Sequence, residues 1–138
     1  MTAKDFLKQY HVANLETDAK IEQIRRLHER ATQTTQAITP DRVQSNGEQD
    51  KLSKITSEVV DLERELYDSL ERLGRVRRQV SSAIEKVKSP TYRTLLELRY
   101  INENTWEEIA VKMHYHYRWV LELHGRALQE VEKLKPQH

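Results

Sequence analysis

An all-α fold, a long antiparallel helical hairpin followed by a compact three-helix domain, is what this sequence predicts, and three observations carry the prediction. Glycine and proline together number six in 138 residues, where ordinary usage would place roughly 17. Ala, Glu, Lys, Leu and Arg supply 62 of the 138, close to the half that marks long helices and coiled coils. Along the middle of the chain, apolar residues recur at alternating steps of three and four, the period of a coiled-coil seam.

The first helix is expected over about residues 3–33. Leu7, Tyr10, Ile21, Ile24 and Ala31 fall on one stripe, interrupted by Asn14, Thr17 and His28 and widened by Phe6 and Leu27. A linker at 34–47 follows, with Pro40 and the turn-forming pair Asn46-Gly47 inside the polar run Thr39 to Gly47. The second helix, 48–88, carries the seam Leu52, Ile55, Val59, Leu62, Leu66, Ser69, Leu73, Val76, Val80, Ala83 and Val87. A lone helix cannot bury such a stripe. Pairing with the first helix makes residues 1–88 a hairpin domain. The second stripe is the longer and richer, so a surplus is left for another copy, and a homodimer through the long helices is expected.

Residues 89–138 form the second expected domain. Ser89-Pro90 has the chemistry of a helix start, a capping hydroxyl before a proline in the first turn. The helix it opens spans Thr91 to Tyr100, with Leu95, Leu98 and Ile101 available for burial. After a turn at Asn102-Glu103-Asn104, Thr105 and Glu108 make a capping box, hydroxyl to amide in one direction and carboxylate to amide in the other. That box opens a short helix presenting Trp106, Ile109, Ala110 and Met113. A connection at His114-Tyr115 leads to a longer helix from about His116 to Lys133. A short helix, a tight turn and a longer amphipathic helix is the pattern of a helix-turn-helix.

The segment LLELRYINENTWEEIAVKMHYHYRWVLELHGRAL resembles the fourth region of sigma-70 type factors, the part that reads the −35 promoter element. Leu98-Arg99-Tyr100 resembles its LRY signature, Thr105 to Ala110 its capped second helix, and Val120 with Arg126-Ala127 its recognition helix. His114 stands where that pattern usually has glycine, and His116 where it usually has a capping serine. The whole arrangement of long helices ending in WEEIA…RWV…LHGRAL is similar to small phage proteins with sigma-like ends, related to the late-gene transcription regulators (ArpU type) of phages of Gram-positive hosts. The resemblance implies a DNA-binding regulator of phage late genes, with host RNA polymerase as a further partner, working in the cytoplasm of a bacterial host cell.

On a helical wheel of residues 116–134, Trp119, Val120, Leu123, Ala127, Val131 and Leu134 share the core arc. Arg118, Leu121, Glu122, Gly125 and Gln129 lie opposite, with Tyr117 and Arg126 on the flanks. The first turns of a recognition helix enter the major groove, so the base-reading candidates are Tyr117, Arg118, Leu121 and Glu122. Arg118 has the fork that pairs with guanine, and Glu122 accepts from a cytosine amine. His116 and Arg126 are candidates for the DNA backbone. Tyr117, Leu121 and Leu128 equally fit a strip docked on the hairpin. Residues 89–138 carry seven Lys/Arg against seven Asp/Glu, so this domain alone should bind DNA weakly. Residues 72–93 hold seven Lys/Arg against Glu85 alone. Arg75, Arg77, Arg78, Lys86 and Lys88 are therefore backbone candidates, or else ordinary flanking charge on a coiled coil.

Other classes find little support. With no cysteine, thiolate zinc sites, disulfides and thiol catalysis are excluded. His114, His116 and His124 fit turn and helix-flank positions better than a metal site, and neither metal nor cofactor is expected. No glycine-rich phosphate loop or catalytic constellation appears, so an enzyme is not expected. No apolar run is long enough for a membrane span, and the amino-terminal segment lacks the apolar stretch of an export signal. Two rivals to a DNA-binding regulator have their own signatures. A protein-interaction module would grip RNA polymerase or another partner through the coiled coil without reading bases. A packaging protein resembling small terminase subunits would assemble into a large ring.

Overall fold

The computed structural model describes residues 1–37 and 46–134, and among them there are helices and no strands. α1 (Ala3–Ala37) and α2 (Asn46–Glu85) make the long hairpin. α3 (Pro90–Leu96) continues into a π-helical turn at Glu97–Ile101, followed by α4 (Trp106–Met113) and α5 (Tyr117–Lys133). α1 thus runs past the expected end at 33, while α2 begins before 48 and stops short of 88. Three threonines extend α1: Thr32, Thr34 and Thr35 each donate a hydroxyl to the carbonyl four residues back, so their side chains follow the helix instead of breaking it. Asn46 and Gly47 open α2 instead of forming a turn. The rest of the expected linker, Pro40 included, and Pro136 lie outside the described residues.

The chain packs as two compact units, residues 15–71 and residues 1–14 together with those from 72 on, so the expected boundary at 88 falls inside the second of these. In the 15–71 unit, Leu27 from α1 and Ile55 and Val59 from α2 form the buried centre, flanked by Ile24, Ala31 and Leu62. Each such side chain contributes about 1.5–3 kcal/mol when fully withdrawn from water. The α2 seam is buried or half-buried at every expected position from Leu52 to Val87.

The α1 seam keeps Tyr10, Thr17, Ile24 and Ala31 of the expected stripe, with Leu7 buried beside it, and departs from it at the alternate positions. Its inward positions are Ala3, Phe6, Tyr10, Ala13, Thr17, Lys20, Ile24, Leu27, Ala31 and Thr34, all buried or half-buried, again at steps of three and four. Ile21, 48% exposed, and His28 stand outside it. Small and hydroxylic residues at inward positions allow close approach, and Lys20 buries its stem while its ammonium reaches Glu65 at 2.6 Å. Leu27, expected only to widen the stripe, is its buried anchor.

The other unit holds the larger core. Leu7 of α1, Val80, Ile84 and Val87 in and just after α2, Leu95 and Leu96 of α3, Ile109 of α4 and Val120 of α5 are all essentially inaccessible. The first turns of α1 therefore share one core with the carboxy-terminal helices. The Ala3 amide donates to Glu132 at 2.8 Å, and His11 and Asn14 both reach Glu103. α2 ends in a turn closed by the Val87 amide on the Ile84 carbonyl. The Arg93 guanidinium then donates to the Val87 and Lys88 carbonyls at 2.8 and 3.1 Å, satisfying acceptors in the connection between α2 and α3. Ser89 caps α3 by accepting from the Tyr92 amide, with Pro90 in the first turn.

Candidate nucleic-acid interface

α4 and α5 are positioned by local chemistry at each end of their connection. The Thr105–Glu108 capping box is complete, each side chain accepting from the other residue's amide at 3.2 Å. These bonds to Thr105 hold the Glu108 carboxyl below its ordinary range. α4 ends at His114, whose backbone is left-handed at φ 58°. Its amide and that of Tyr115 return to Val111 and Ala110. His116 then caps α5 with its ring, Nδ1 accepting from the Arg118 amide at 3.4 Å, a long and weak cap.

α5 turns Val120, Leu123, His124, Ala127 and Val131 inward. Two members of the expected core arc are not there. Trp119 is 37% exposed and Leu134, at the helix end, 45%. A residue turns by about 100° along a helix, so centring the buried arc on Val120, Ala127 and Val131 brings His124 in and leaves Trp119 on the flank. The Arg126 guanidinium lies 5.1 Å from the Trp119 ring centre, a cation–π contact that steadies both.

His124 thereby changes role, from an expected helix-flank residue to part of the core. Its Nε2 is 2.6 Å from the Tyr100 hydroxyl, and its ring packs on Tyr100 and Trp106. Burial, reinforced by Lys4, Arg99 and Lys8, lowers its pKa to about 4, so the ring is neutral near pH 7. Burial likewise raises Tyr100 to about 12 against the pull of Arg99. The π-helical turn, closed by the Asn102 amide on the Glu97 carbonyl, presents Tyr100 to this contact, while Arg99 stacks 4.1 Å above Trp106. Local spacing held the signal for His124: it stands four residues after Val120 and three before Ala127.

The base-reading candidates occupy the outward side of α5. Arg118 and Glu122 are exposed, as are Tyr117 at 40% and Leu121 at 39%. No hydrogen bond or ion pair engages the side chains of Arg118 or Glu122 among the described residues. Gly125 shares this face, and a Cβ added there would meet nothing. Leu128 instead packs against the core. Of the backbone candidates, His116 and Arg126 are exposed on the same unit. Arg75, Arg77, Arg78, Lys86 and Lys88 are exposed as well, with Arg77 and Arg78 lining a shallow concavity beside Ser81 and Ser82. Among the described residues no three His, Cys, Asp or Glu side chains converge as metal ligands, and no helix is long and apolar enough to cross a membrane. Comparison with protein families, with curated proteins and with solved structures finds no match.

Proposed function

We propose that this protein is a sequence-specific regulator of transcription that binds double-stranded DNA, with α4, the His114 turn and α5 acting as a helix-turn-helix of the sigma-70 region 4 type. The observation that carries this reading is the outward face at the start of α5, where Arg118 and Glu122 stand exposed with no side-chain partner among the described residues. An unpaired guanidinium and carboxylate four residues apart suit guanine and cytosine edges on neighbouring base pairs. The resemblance to phage regulators adds late genes as the target, host RNA polymerase as a further partner and a homodimer as the working form.

Arg118→Ala should weaken binding to the preferred site by about 1–3 kcal/mol and relax selection at a single base pair. Gel shifts against a pool of genomic fragments measure it. A parent protein that prefers no fragment, or a variant that binds like the parent, removes base reading from α5. Phosphate contact is tested separately. Neutralising Arg75 and Arg78 with glutamine should flatten the slope of log affinity against log salt by about 2, since each phosphate contact contributes about 0.9. An unchanged slope assigns both arginines to the hairpin surface alone.

A second reading has an observation of its own. Val111, Tyr115, Trp119 and Leu121 are exposed apolar side chains of α4, the turn and α5, which suits contact with a protein such as RNA polymerase. Val111→Asp, at a position 75% exposed and away from the DNA candidates, distinguishes the two, because polymerase capture should then fall while DNA affinity holds.

A further inference from the structure

α2 carries a second stripe that the hairpin does not bury. Val60, Glu63, Tyr67, Leu70, Gly74 and Arg77 follow one another at steps of three and four, one position along from the buried seam. Val60 is 42% exposed, Tyr67 65% and Leu70 47%. A tyrosine, a leucine and a valine in line on one solvent-facing side of a helix are costly in water. Gly74 adds a second oddity. A glycine inside a helix is unfavourable relative to alanine, and nothing among the described residues demands one here. A Cβ at this position would meet only the tip of Arg78, at an ordinary 3.5 Å.

The charge along the same helix is polarised. Residues 58–71 hold six Asp/Glu against Arg64 alone, and residues 72–85 hold four Arg against Glu85 alone. α2 is unbroken from Asn46 to Glu85, so both stretches lie on a single helix. Glu63 and Arg77, the charged members of the stripe, make no ion pair within the chain among the described residues. A parallel neighbour would set acid against acid and base against base. An antiparallel copy sets each acidic half against a basic one.

We propose that two copies of the chain pair antiparallel through this outer stripe of α2, with the two-fold axis passing at Leu70. Leu70 then meets its own counterpart. Three to four residues to either side, Tyr67 covers Gly74 of the second copy, which explains the missing side chain there. Seven residues out, Glu63 faces Arg77 of the second copy, and by symmetry the contact occurs twice. Arg77 belongs to the dimer and Arg75 stays open to phosphate, while the flexible tip of Arg78, beside Gly74, swings aside as Tyr67 docks. The arrangement rests on the homodimer of the functional reading above and specifies its geometry. It stands or falls independently of base recognition, which gel shifts report.

The absence of cysteine makes the test direct. Leu70→Cys places one thiol on the axis, close enough to its counterpart to bond, whereas Glu58→Cys places the pair roughly 36 Å apart along the helices. Mild oxidation of the full chain should cross-link Leu70→Cys to a dimer and leave Glu58→Cys monomeric. In sedimentation equilibrium the parent should have twice the 16.4 kDa chain mass. Glu63→Arg and Arg77→Glu should each weaken association by about tenfold or more, and the double exchange should restore it. A monomeric parent, cross-linking at 58 as efficient as at 70, or a double exchange no better than either single change overturns the proposal.

Discussion

Leu7→Ala should destabilise the unit formed by residues 1–14 and the carboxy-terminal helices by about 3 kcal/mol. Leu7 is completely buried, in a core shared with Val80, Ile84, Leu95 and Val120. Its truncation removes transfer free energy and leaves a cavity that helices held by caps and by Arg93 cannot readily close. The effect is unexpected for a residue more than eighty positions from the helices it supports. Both tryptophans, Trp106 and Trp119, lie in this unit, so their fluorescence reports its unfolding specifically. Urea titration should show the Leu7→Ala midpoint well below the parent's. Val12→Ala, at a position 51% exposed on the same helix, should stay within about 0.5 kcal/mol. If fluorescence unfolds at the parental midpoint in Leu7→Ala, the first turns of α1 do not belong to this core.

Stability should also fall on both sides of a broad pH plateau, because the contact between Tyr100 and His124 is buried as a neutral pair. The folded-state pKa of His124, about 4, lies below the ordinary 6.5. The unfolded chain therefore binds the extra proton first, and stability is lost as pH falls from about 6.5 to about 4. The expected loss is roughly 2 kcal/mol once screening by nearby solvent is allowed for. Tyr100 works at the opposite end. With its folded pKa raised from 10 to about 12, the unfolded chain loses the phenolic proton first, and stability declines as pH rises above about 10. Urea midpoints measured across pH should therefore form a plateau between these limits. In His124→Gln the acid limb should shrink while the alkaline limb persists. An acid limb of full size in that variant would assign it to carboxylates instead.

How much of this was legible depended on whether the decisive residues were apolar, local and regular. The α2 seam could be read because nearly every inward position is Leu, Ile or Val. The α1 seam could be read only in part, at Leu7, Tyr10, Ile24 and Ala31, because Ala13, Lys20 and Thr34 also point inward while Leu15 and Ile21 point out. Stripe-reading follows hydrophobicity, whereas close helix pairing also rewards small side chains. The Thr105–Glu108 box and the Ser89-Pro90 start were visible because capping chemistry sits within four residues. The π-helical turn leaves no comparable trace. The burial of Leu7 in one core with Val120 leaves none either, since contacts between distant segments carry no local signature. On α5, exposure of Arg118 and Glu122 followed from the helical wheel. Trp119 was misplaced because its size argued for burial, and His124 because its polarity argued against it.

The bond between the Ala3 amide and Glu132 joins positions 129 apart, and that separation dictates an order of assembly. On the ribosome, residues 3–14 emerge long before the segments that will cover Leu7, whereas residues 15–71 form a compact unit of their own. The hairpin end can thus condense during synthesis, while the opening turns wait with Phe6 and Leu7 uncovered until α5 has been made. Translational pausing between residues 72 and 120 would lengthen that wait and with it the opportunity for aggregation or chaperone capture.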